Sequence, residues 1–289
     1  MKYSMQRYWF GDVTEGGCTR AEGDAAALAR RVSALSTAME GFVPLRWEQA
    51  VLCGAVPDRA GYLALLRQVT MLLAERKIRA WYGRGDALLI QKVRMLEDLD
   101  RAANLVAERF QEWERVLHPG IRGEVRELAP RRALELARGR AEGAQVPVIA
   151  SVDGLGEARA ALVQEVSEGA GGILPNCTAL VGGLVAARLL AAAGSLDALA
   201  RLPAASLQVL GARAALFAHL RTGSPPPKHG ILYQHSRVHN APRNRRGKVA
   251  RTLAARLAIA ARLDRYRGTR DEAFLAQADE AVRRAGRGP

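Results

Sequence analysis

The sequence predicts a mainly α protein with a small α/β domain at its N-terminus, a long connecting helix and an all-α C-terminal domain. Of its 289 residues, 49% are hydrophobic, which suffices for conventional cores in two or three small domains. Aromatic residues make up only 5%, whereas alanine and leucine recur throughout, and this bias favours helices over a strand-rich sandwich or barrel.

The charge is concentrated in one part of the chain. Residues 211–270 contain fourteen Lys and Arg against a single acid, Asp264, so this fifth of the sequence carries nearly all of the net charge of +14. A solvated surface usually mixes both signs, and a block of one sign is typical of proteins that bind a polyanion. The distribution therefore predicts a nucleic-acid partner.

Residues 1–82 predict the small α/β domain. The predicted elements are strands at 8–11, 50–53 and 78–82 and helices at 25–32 and 62–73. In residues 83–120, apolar residues recur at spacings of three, four and seven, and this pattern predicts an amphipathic helix of about 30 residues. Asp86 is its expected N-cap and Pro119-Gly120 its end. Its apolar face either packs on its own domain or binds a partner.

Residues 121–171 predict only short helical pieces. Prolines and glycines punctuate the segment, at Pro130, Gly139, Gly143, Pro147, Gly154 and Gly156. Because Arg159 replaces the third glycine of a GxGxxG pattern that starts at Gly154, no dinucleotide site is expected there.

Residues 172–289 predict the all-α domain. Its expected helices cover 179–192, 196–202, a segment from Gly211 through Leu220, and a last major helix from Gly247. Between the last two, a proline-stiffened loop at 222–230 presents Lys228 and His229. On the last helix one face carries cations and the other is apolar. The cations are Lys248, Arg251 and Arg262, and the apolar residues are Leu253, Leu257 and Ala260.

The remaining residues predict a cytoplasmic protein without catalytic chemistry. Cys18, Cys53 and Cys177 are far apart and lack ligand spacing, so they are expected to be ordinary buried thiols. The N-terminus shows no secretory signal, and no apolar run is long enough for a membrane span. The histidines near 229–239 lack the neighbouring carboxylates that metal binding or catalysis needs. We expect no cofactor and no metal.

The C-terminal motifs resemble the Nop-domain scaffold proteins of archaeal box C/D guide ribonucleoproteins, which are related to eukaryotic nucleolar proteins and a spliceosomal factor. The motifs are PNCTALVG (175–182), ARLL (187–190), LQVLGA (207–212), HLRTG (219–223), PPKHG (226–230), RGKVAR (246–251) and LAIAARLD (257–264). Residues 89–91, 96–100, 104–105 and 112–113 are also similar to the helix that precedes the coiled coil of that family.

The resemblance implies a non-catalytic scaffold for ribose 2′-O-methylation of rRNA or tRNA. Residues 1–82 would dock the methyltransferase fibrillarin, 83–120 would be the linker helix, 121–171 a shortened coiled coil, and 172–289 the Nop domain. The Nop domain would hold a kink-turn guide RNA together with a ribosomal-protein-like kink-turn-binding protein. The expected RNA-binding residues are Arg221, Lys228, His229, Arg243, Arg245, Arg246, Lys248, Arg251 and Arg262, and Arg213 and Phe217 are expected to contact both RNA and the kink-turn protein.

Two departures from the family pattern bear on this expectation. Arg213, Ala214 and Ala218 replace the usual Glu, Lys and Arg of one helix, and Asn244 stands where Trp is common. The family's coiled-coil helices take roughly a hundred residues, so a segment as short as 121–171 argues against self-association through a full coiled coil. The alternative is a stand-alone RNA-binding protein or RNA chaperone that retains the Nop domain.

Overall fold

The structure is a computed structural model that describes residues 6–14, 16–37, 46–118 and 130–287. The chain divides into two compact units, residues 1–84 and 85–289. Fourteen α-helices and one three-stranded sheet lie within the described residues, which confirms the mainly α prediction.

The first unit combines a small sheet with three helices. Strands β1 (Gln6–Tyr8), β2 (Gly11–Thr14) and β3 (Gly17–Arg20) form an antiparallel meander in that order. Helices α1 (Ala25–Thr37), α2 (Trp47–Leu52) and α3 (Arg59–Tyr82) follow, and both α1 and α2 pack on α3. Trp9 and Phe10 form the β1–β2 turn and pack against Tyr62, whose hydroxyl accepts from Trp9 Nε1 at 3.4 Å. An aromatic cluster is thus the centre of this unit.

The three predicted strands in this unit are wrong. Residues 8–11 are the end of β1, the turn after it and the start of β2, because the chain reverses at Trp9 and Phe10. Residues 50–53 form the end of α2 and its C-cap, because Ala50 is fully buried in a helical turn and Gly54, at φ 64°, ends the helix. Residues 78–82 continue α3 to Tyr82. No glycine or proline interrupts 62–82, and a helix that has already formed adds further turns at little cost.

The prediction of three free thiols is also wrong. Cys18 in β3 and Cys53 after α2 form a disulfide, with Cα atoms 5.1 Å apart. Their separation of 35 residues gave no sign of this proximity, which arises only when β3 and α2 pack in the same unit. Cys177 is a buried free thiol, as expected.

The second unit begins with a helical hairpin. Helix α4 (Gly85–Leu117) is followed by α5 (Pro130–Ala137) and α6 (Gln145–Ile173), and both pack on α4. Lys92 Nζ lies 2.7 Å from Glu165 Oε2, and Arg159 Nε lies 2.5 Å from Asp100 Oδ1. Because these contacts pair early α4 with late α6, the two helices run antiparallel. The apolar face of α4 packs within its own unit.

A buried carboxylate lies at the closed end of the hairpin, where α4 ends and α6 begins. Glu114 is 1% exposed, and its oxygens accept from Arg140 Nη2 at 2.7 Å and from Gln145 Nε2 at 2.6 Å. Asp86, the expected N-cap of α4, lies inside the helix and accepts instead from Leu196 N at 2.8 Å. These carboxylates therefore tie α4 to the segments that follow it.

The prediction of broken helices across 121–171 is wrong for α6. This helix runs without interruption for 29 residues. Pro147 falls in its first turn, where a missing N–H costs no helical hydrogen bond, and Gly154 and Gly156 lie on exposed positions. Packing on α4 compensates the low helix propensity of these glycines. The incomplete GxGxxG pattern lies within this helix.

The remaining helices complete the second unit. They are α7 (Pro175–Val181), α8 (Gly183–Ala193), α9 (Leu196–Arg201), α10 (Ala204–Val209), α11 (Arg213–Thr222), α12 (Ser236–His239), α13 (Arg246–Tyr266) and α14 (Glu272–Gly286), with a 3₁₀ turn at Ile231–Gln234. The helix predicted at 179–192 is two helices, because Gly182 breaks it at φ 82°. Helix α13 packs against α7, α9, α10 and α14 and lies at the centre of this unit.

A buried hydrogen-bond network joins the two ends of this helical domain. The Asp264 carboxylate, 3% exposed, accepts from the backbone nitrogens of Asn176 and Cys177 at 2.8 and 3.0 Å and from Asn176 Nδ2 at 2.8 Å. Burial and the neighbouring Asp264 raise the pKa of the Cys177 thiol. The network fixes the start of α7 against the end of α13.

Candidate nucleic-acid interface

Helix α13 places a cationic face opposite a core face. Lys248, Arg251 and Arg262 are exposed, whereas Leu253 and Leu257 are 1% exposed. The cationic face and the apolar face predicted for this helix are therefore both present. Arg262 lies about 21 Å beyond Lys248 along the helix axis, at about 1.5 Å per residue. The face is an extended strip rather than a point.

Where the structure describes the chain, some basic residues between positions 211 and 270 form ion pairs, whereas those predicted to contact RNA do not. Within the described residues, ion pairs join Arg237 to Asp279, Arg265 to Asp197, Arg267 to Asp271 and Arg270 to Glu272. The nine Lys and Arg predicted to contact RNA, from Arg213 to Arg262, form no ion pair in the part of the chain that the structure describes. Their charge is thus available to an anionic partner.

The proline-stiffened loop is pinned next to the start of α13. Gln208 Nε2 donates to Lys228 O at 2.8 Å, and Gly230 N donates to Gln208 O at 3.0 Å. A Cβ on Gly230 would lie 2.0 Å from Leu210 O, so only glycine allows this approach. A Cβ built on Gly247 would lie 4.0 Å from the Lys228 side chain. The structure therefore brings the loop and the first turn of α13 together.

Three aromatic rings pack together where the loop meets the first turn of α13. The His229 and Tyr233 rings stack with centroids 4.5 Å apart and an interplanar angle of 16°, and the His239 ring lies 4.8 Å from Tyr233. The Arg246 guanidinium carbon lies 5.5 Å from the Tyr233 centroid, and Arg246 Nε donates to Ala241 O at 2.9 Å. A group of rings and cations beside a basic helix is suited to bind unpaired bases and phosphates.

The histidine environment favours the neutral form. Burial lowers the pKa of His229, and the nearby positive charges of Arg246 and Lys228 lower it further. Burial and Arg237 lower the pKa of His235. An uncharged imidazole at neutral pH can stack on a base or form a hydrogen bond without adding charge.

Helix α11 is exposed along its whole length. None of its residues is buried, and Phe217 and Leu220 are 61% and 70% exposed. Arg213, Phe217 and Arg221 recur every four residues and therefore share one stripe of the helix. The helix thus exposes the Phe217 ring between two arginines, with the apolar side chain of Leu220 beside them.

Among the predicted residues, Lys228, His229 and Arg246 meet at one place, whereas Arg213 and Phe217 lie on α11 and Arg262 lies far along α13. Arg245 donates to the carbonyl oxygen of Arg287, and Arg243 is exposed. The structure also places Tyr233 and His239 where the loop meets the first turn of α13; Tyr233 was not singled out in the sequence, and His239 was considered only as a metal ligand or catalytic group. Their place four and ten residues after His229, as aromatic groups within a basic segment, was the available signal.

The described residues contain no group of three or more His, Cys, Asp or Glu side chains that could hold a metal ion. Across the same ranges, no helix is long and apolar enough to cross a membrane.

Residues 146–285 match a family model described as "Nop: snoRNA binding domain, fibrillarin". The chain is 34% identical over 228 residues to an uncharacterized NOP5 family protein of Methanocaldococcus jannaschii, covering 66% of this chain and 55% of that protein. It is 33% identical over 249 residues to Nucleolar protein 58 of Scheffersomyces stipitis, covering 72% and 48%. The chain therefore spans about half the length of these curated relatives.

One solved structure is similar over nearly the whole chain. It is titled a crystal structure of a fibrillarin/Nop5p complex, and the matched chain shows a TM-score of 0.52 and 27% identity. The match covers 98% of this chain and 100% of that chain.

Proposed function

Because the chain belongs to the Nop family, with a Nop domain matched at residues 146–285, we propose that it is a non-catalytic RNA-binding scaffold of a box C/D guide ribonucleoprotein. In this role it directs ribose 2′-O-methylation by bridging a fibrillarin-type methyltransferase and a kink-turn guide RNA with its kink-turn-binding protein. The observation that carries the proposal is the set of nine cations that form no ion pair within the described residues. They lie on α11, on the proline-stiffened loop, just before α13 and along α13.

The arrangement of these cations suits a folded RNA. Phosphates follow one another along a strand, and the strip from the Lys228 loop to Arg262 offers successive positive groups along α13. The first turn of α13 adds the positive end of the helix dipole, although the N–H of Arg246 already donates to Pro242 O at 3.0 Å. Rigid loop geometry lowers the entropy that RNA binding would otherwise cost.

The first unit has a surface that suits methyltransferase docking. At about 100° per residue, the large exposed apolar residues of α3 lie roughly 110° to 170° around the helix from the buried Tyr62 and Val69. They are Leu63, Met71, Ile78, Trp81 and Tyr82, each between 47% and 62% exposed. An apolar stripe of this length on a soluble helix is typical of a protein-binding surface. The solved structure titled as a fibrillarin/Nop5p complex supports this choice of partner.

Helix α11 suits a joint contact with RNA and the kink-turn-binding protein. Arg213 and Arg221 supply charge on either side of Phe217, and the exposed Leu220 supplies apolar area beside them. Ala214 and Ala218 stand beside this stripe, where the family usually has Lys and Arg, so the partner contact depends more on Phe217.

A stand-alone RNA-binding protein or RNA chaperone is the second candidate. The observation that favours it is the short middle of the chain, where α4 and α6 form a hairpin whose far end is fixed by the buried Glu114. Such a hairpin offers less surface for ordered self-assembly than two long coiled-coil helices.

Reconstitution separates the two candidates. The chain is mixed with a kink-turn guide RNA, a kink-turn-binding protein, a fibrillarin-type methyltransferase and a target RNA, and methylation of the paired target nucleotide is measured. The scaffold proposal predicts methylation that requires the chain and is lost when base changes disrupt the kink-turn. Equal binding to unstructured RNA without the kink-turn protein, together with no methylation, would leave only the stand-alone candidate.

A further inference from the structure

Tyr233 is the common neighbour of three groups at the candidate RNA interface. Its ring contacts the His229 ring at 4.5 Å, the His239 ring at 4.8 Å and the Arg246 guanidinium carbon at 5.5 Å, all measured to ring centroids. Neither the sequence patterns nor the charge distribution assigned this residue a role.

Tyr233 is itself firmly held. It is partly buried against the main core of the second unit, and its backbone N donates to Gly230 O at 3.0 Å. Leu232 before it is fully buried. By contrast, His229 lies in the loop, where the prolines restrict the backbone but leave the side-chain torsions free. The orientation of the imidazole therefore depends on the ring that it stacks against.

We propose that Tyr233 is a positioning residue of the RNA interface, whose ring fixes the His229 imidazole and the Arg246 guanidinium side by side toward the RNA. The proposal rests on the proposed function, because it takes RNA to bind at this loop. Tyr233 acts through its neighbours: His229 stacks on or bonds to a base, and Arg246 contacts a nearby phosphate.

The electrostatics of the cluster agree with this role. The groups that face His229 are Lys228 on its own loop, Arg246 on α13 and, beyond Tyr233, His239 on α12. Burial of His229 is the first cause of its lowered pKa, followed by Arg246. An imidazole released from Tyr233 would be better solvated and further from Arg246, so its pKa would return toward the ordinary value.

The test compares Tyr233→Leu and Tyr233→Phe in the full chain. We expect Tyr233→Leu to weaken binding of a kink-turn guide RNA by about 3- to 10-fold, the range of a lost aromatic pair. In the RNA-free protein, NMR titration should show a higher pKa for His229. Tyr233→Phe keeps the ring and should restore both values.

Two controls distinguish positioning from general destabilisation. Tyr266 is also a tyrosine beneath a guanidinium, that of Arg265 at 5.7 Å, but it lies about 30 Å along α13 from Arg246. Tyr266→Leu should leave both readouts unchanged. In a His229→Ala background, Tyr233→Leu should lose less affinity than in the wild type, because the shared contact is already gone.

The outcomes separate this proposal from the function on which it rests. Unchanged RNA affinity and an unchanged pKa of His229 in Tyr233→Leu would overturn it, as would a loss of affinity that Tyr233→Phe fails to restore. If the wild type shows no preference for a kink-turn, the proposed function fails. The titration of His229 in the free protein would still decide whether Tyr233 positions that ring.

Discussion

Replacing Lys248 and Arg251 together with alanine should reduce the salt dependence of RNA binding. Both side chains are exposed on α13 and form no ion pair within the described residues, and the neighbouring Val249, Ala250 and Leu253 form the buried face. Alanine is a good helix former, so the double variant should keep its fold. The double variant should therefore lose only the positive charge at two phosphate contacts.

The magnitude follows from counterion release. Each phosphate contact contributes about 0.7 to 0.9 to the slope of log K against log salt, so two lost contacts reduce the slope by about 1.4 to 1.8. Between 50 and 200 mM salt, the wild type should then lose about 7- to 12-fold more affinity than the double variant. Fluorescence anisotropy with a labelled kink-turn guide RNA measures both slopes.

The matched control removes two cations that are already paired. Arg267 and Arg270 are exposed but lie 3.3 and 2.6 Å from Asp271 and Glu272. Replacing both with alanine makes the same change in formal charge and should leave the slope nearly unchanged. Equal slopes for the wild type and the Lys248/Arg251 variant would refute the assignment of this face to phosphate binding.

Three further predictions concern stability and chemistry. Asp264→Ala removes the acceptor of the Asn176 and Cys177 backbone N–H groups and one of the two acceptors of Asn176 Nδ2, which keeps Thr269 O. It should lower the free energy of unfolding by about 3 kcal/mol or more in urea titrations. Thiol titration in denaturant should find one free thiol, Cys177, before reduction and three after it, and reducing the Cys18–Cys53 disulfide should destabilise the first unit by about 4 kcal/mol. Folding lowers the pKa of His229, so the imidazole binds a proton at a higher pH in the unfolded state than in the folded state. The free energy of unfolding should therefore fall as the pH drops below about 6.5. His229→Gln should reduce this pH dependence in urea titrations repeated between pH 7.5 and 5.5, and the part that His235 contributes should remain.

The helical domain was largely predictable because its signals are local and specific. The family resemblance is confirmed by the matched Nop model and the NOP5 and Nucleolar protein 58 relatives. The two faces of α13 followed from the helical period alone, since Leu253 and Leu257 recur at core spacing while Lys248 and Arg251 do not.

The errors arose where tertiary packing overrides local sequence. Residues 78–82 have strand-like composition, yet they extend an existing helix because nothing stops it before Gly83. Helix α6 tolerates Gly154 and Gly156 because α4 supports it, and the Cys18–Cys53 disulfide needs two segments 35 residues apart to meet. Local propensity describes none of these long-range contacts.

The role proposed for Tyr233 could not be predicted from the sequence, for a related reason. A single tyrosine in a short 3₁₀ turn carries no periodic pattern, and the proposed role depends on three neighbours that lie on other elements. His229, His239 and Arg246 approach it only after the loop is pinned to α10 and to the first turn of α13. The concentration of positive charge predicted a nucleic-acid partner, whereas the residues that meet at the contact could be identified only from the folded structure.

The most direct test of the account is to identify which residues touch a kink-turn guide RNA, by ultraviolet crosslinking followed by mass spectrometry of the RNA-linked peptides. We expect crosslinks between Lys228 and Tyr233 and in the first turns of α13, from Arg246 to Arg251. Crosslinks confined to α14 or to the first unit, with none in these two segments, would contradict it.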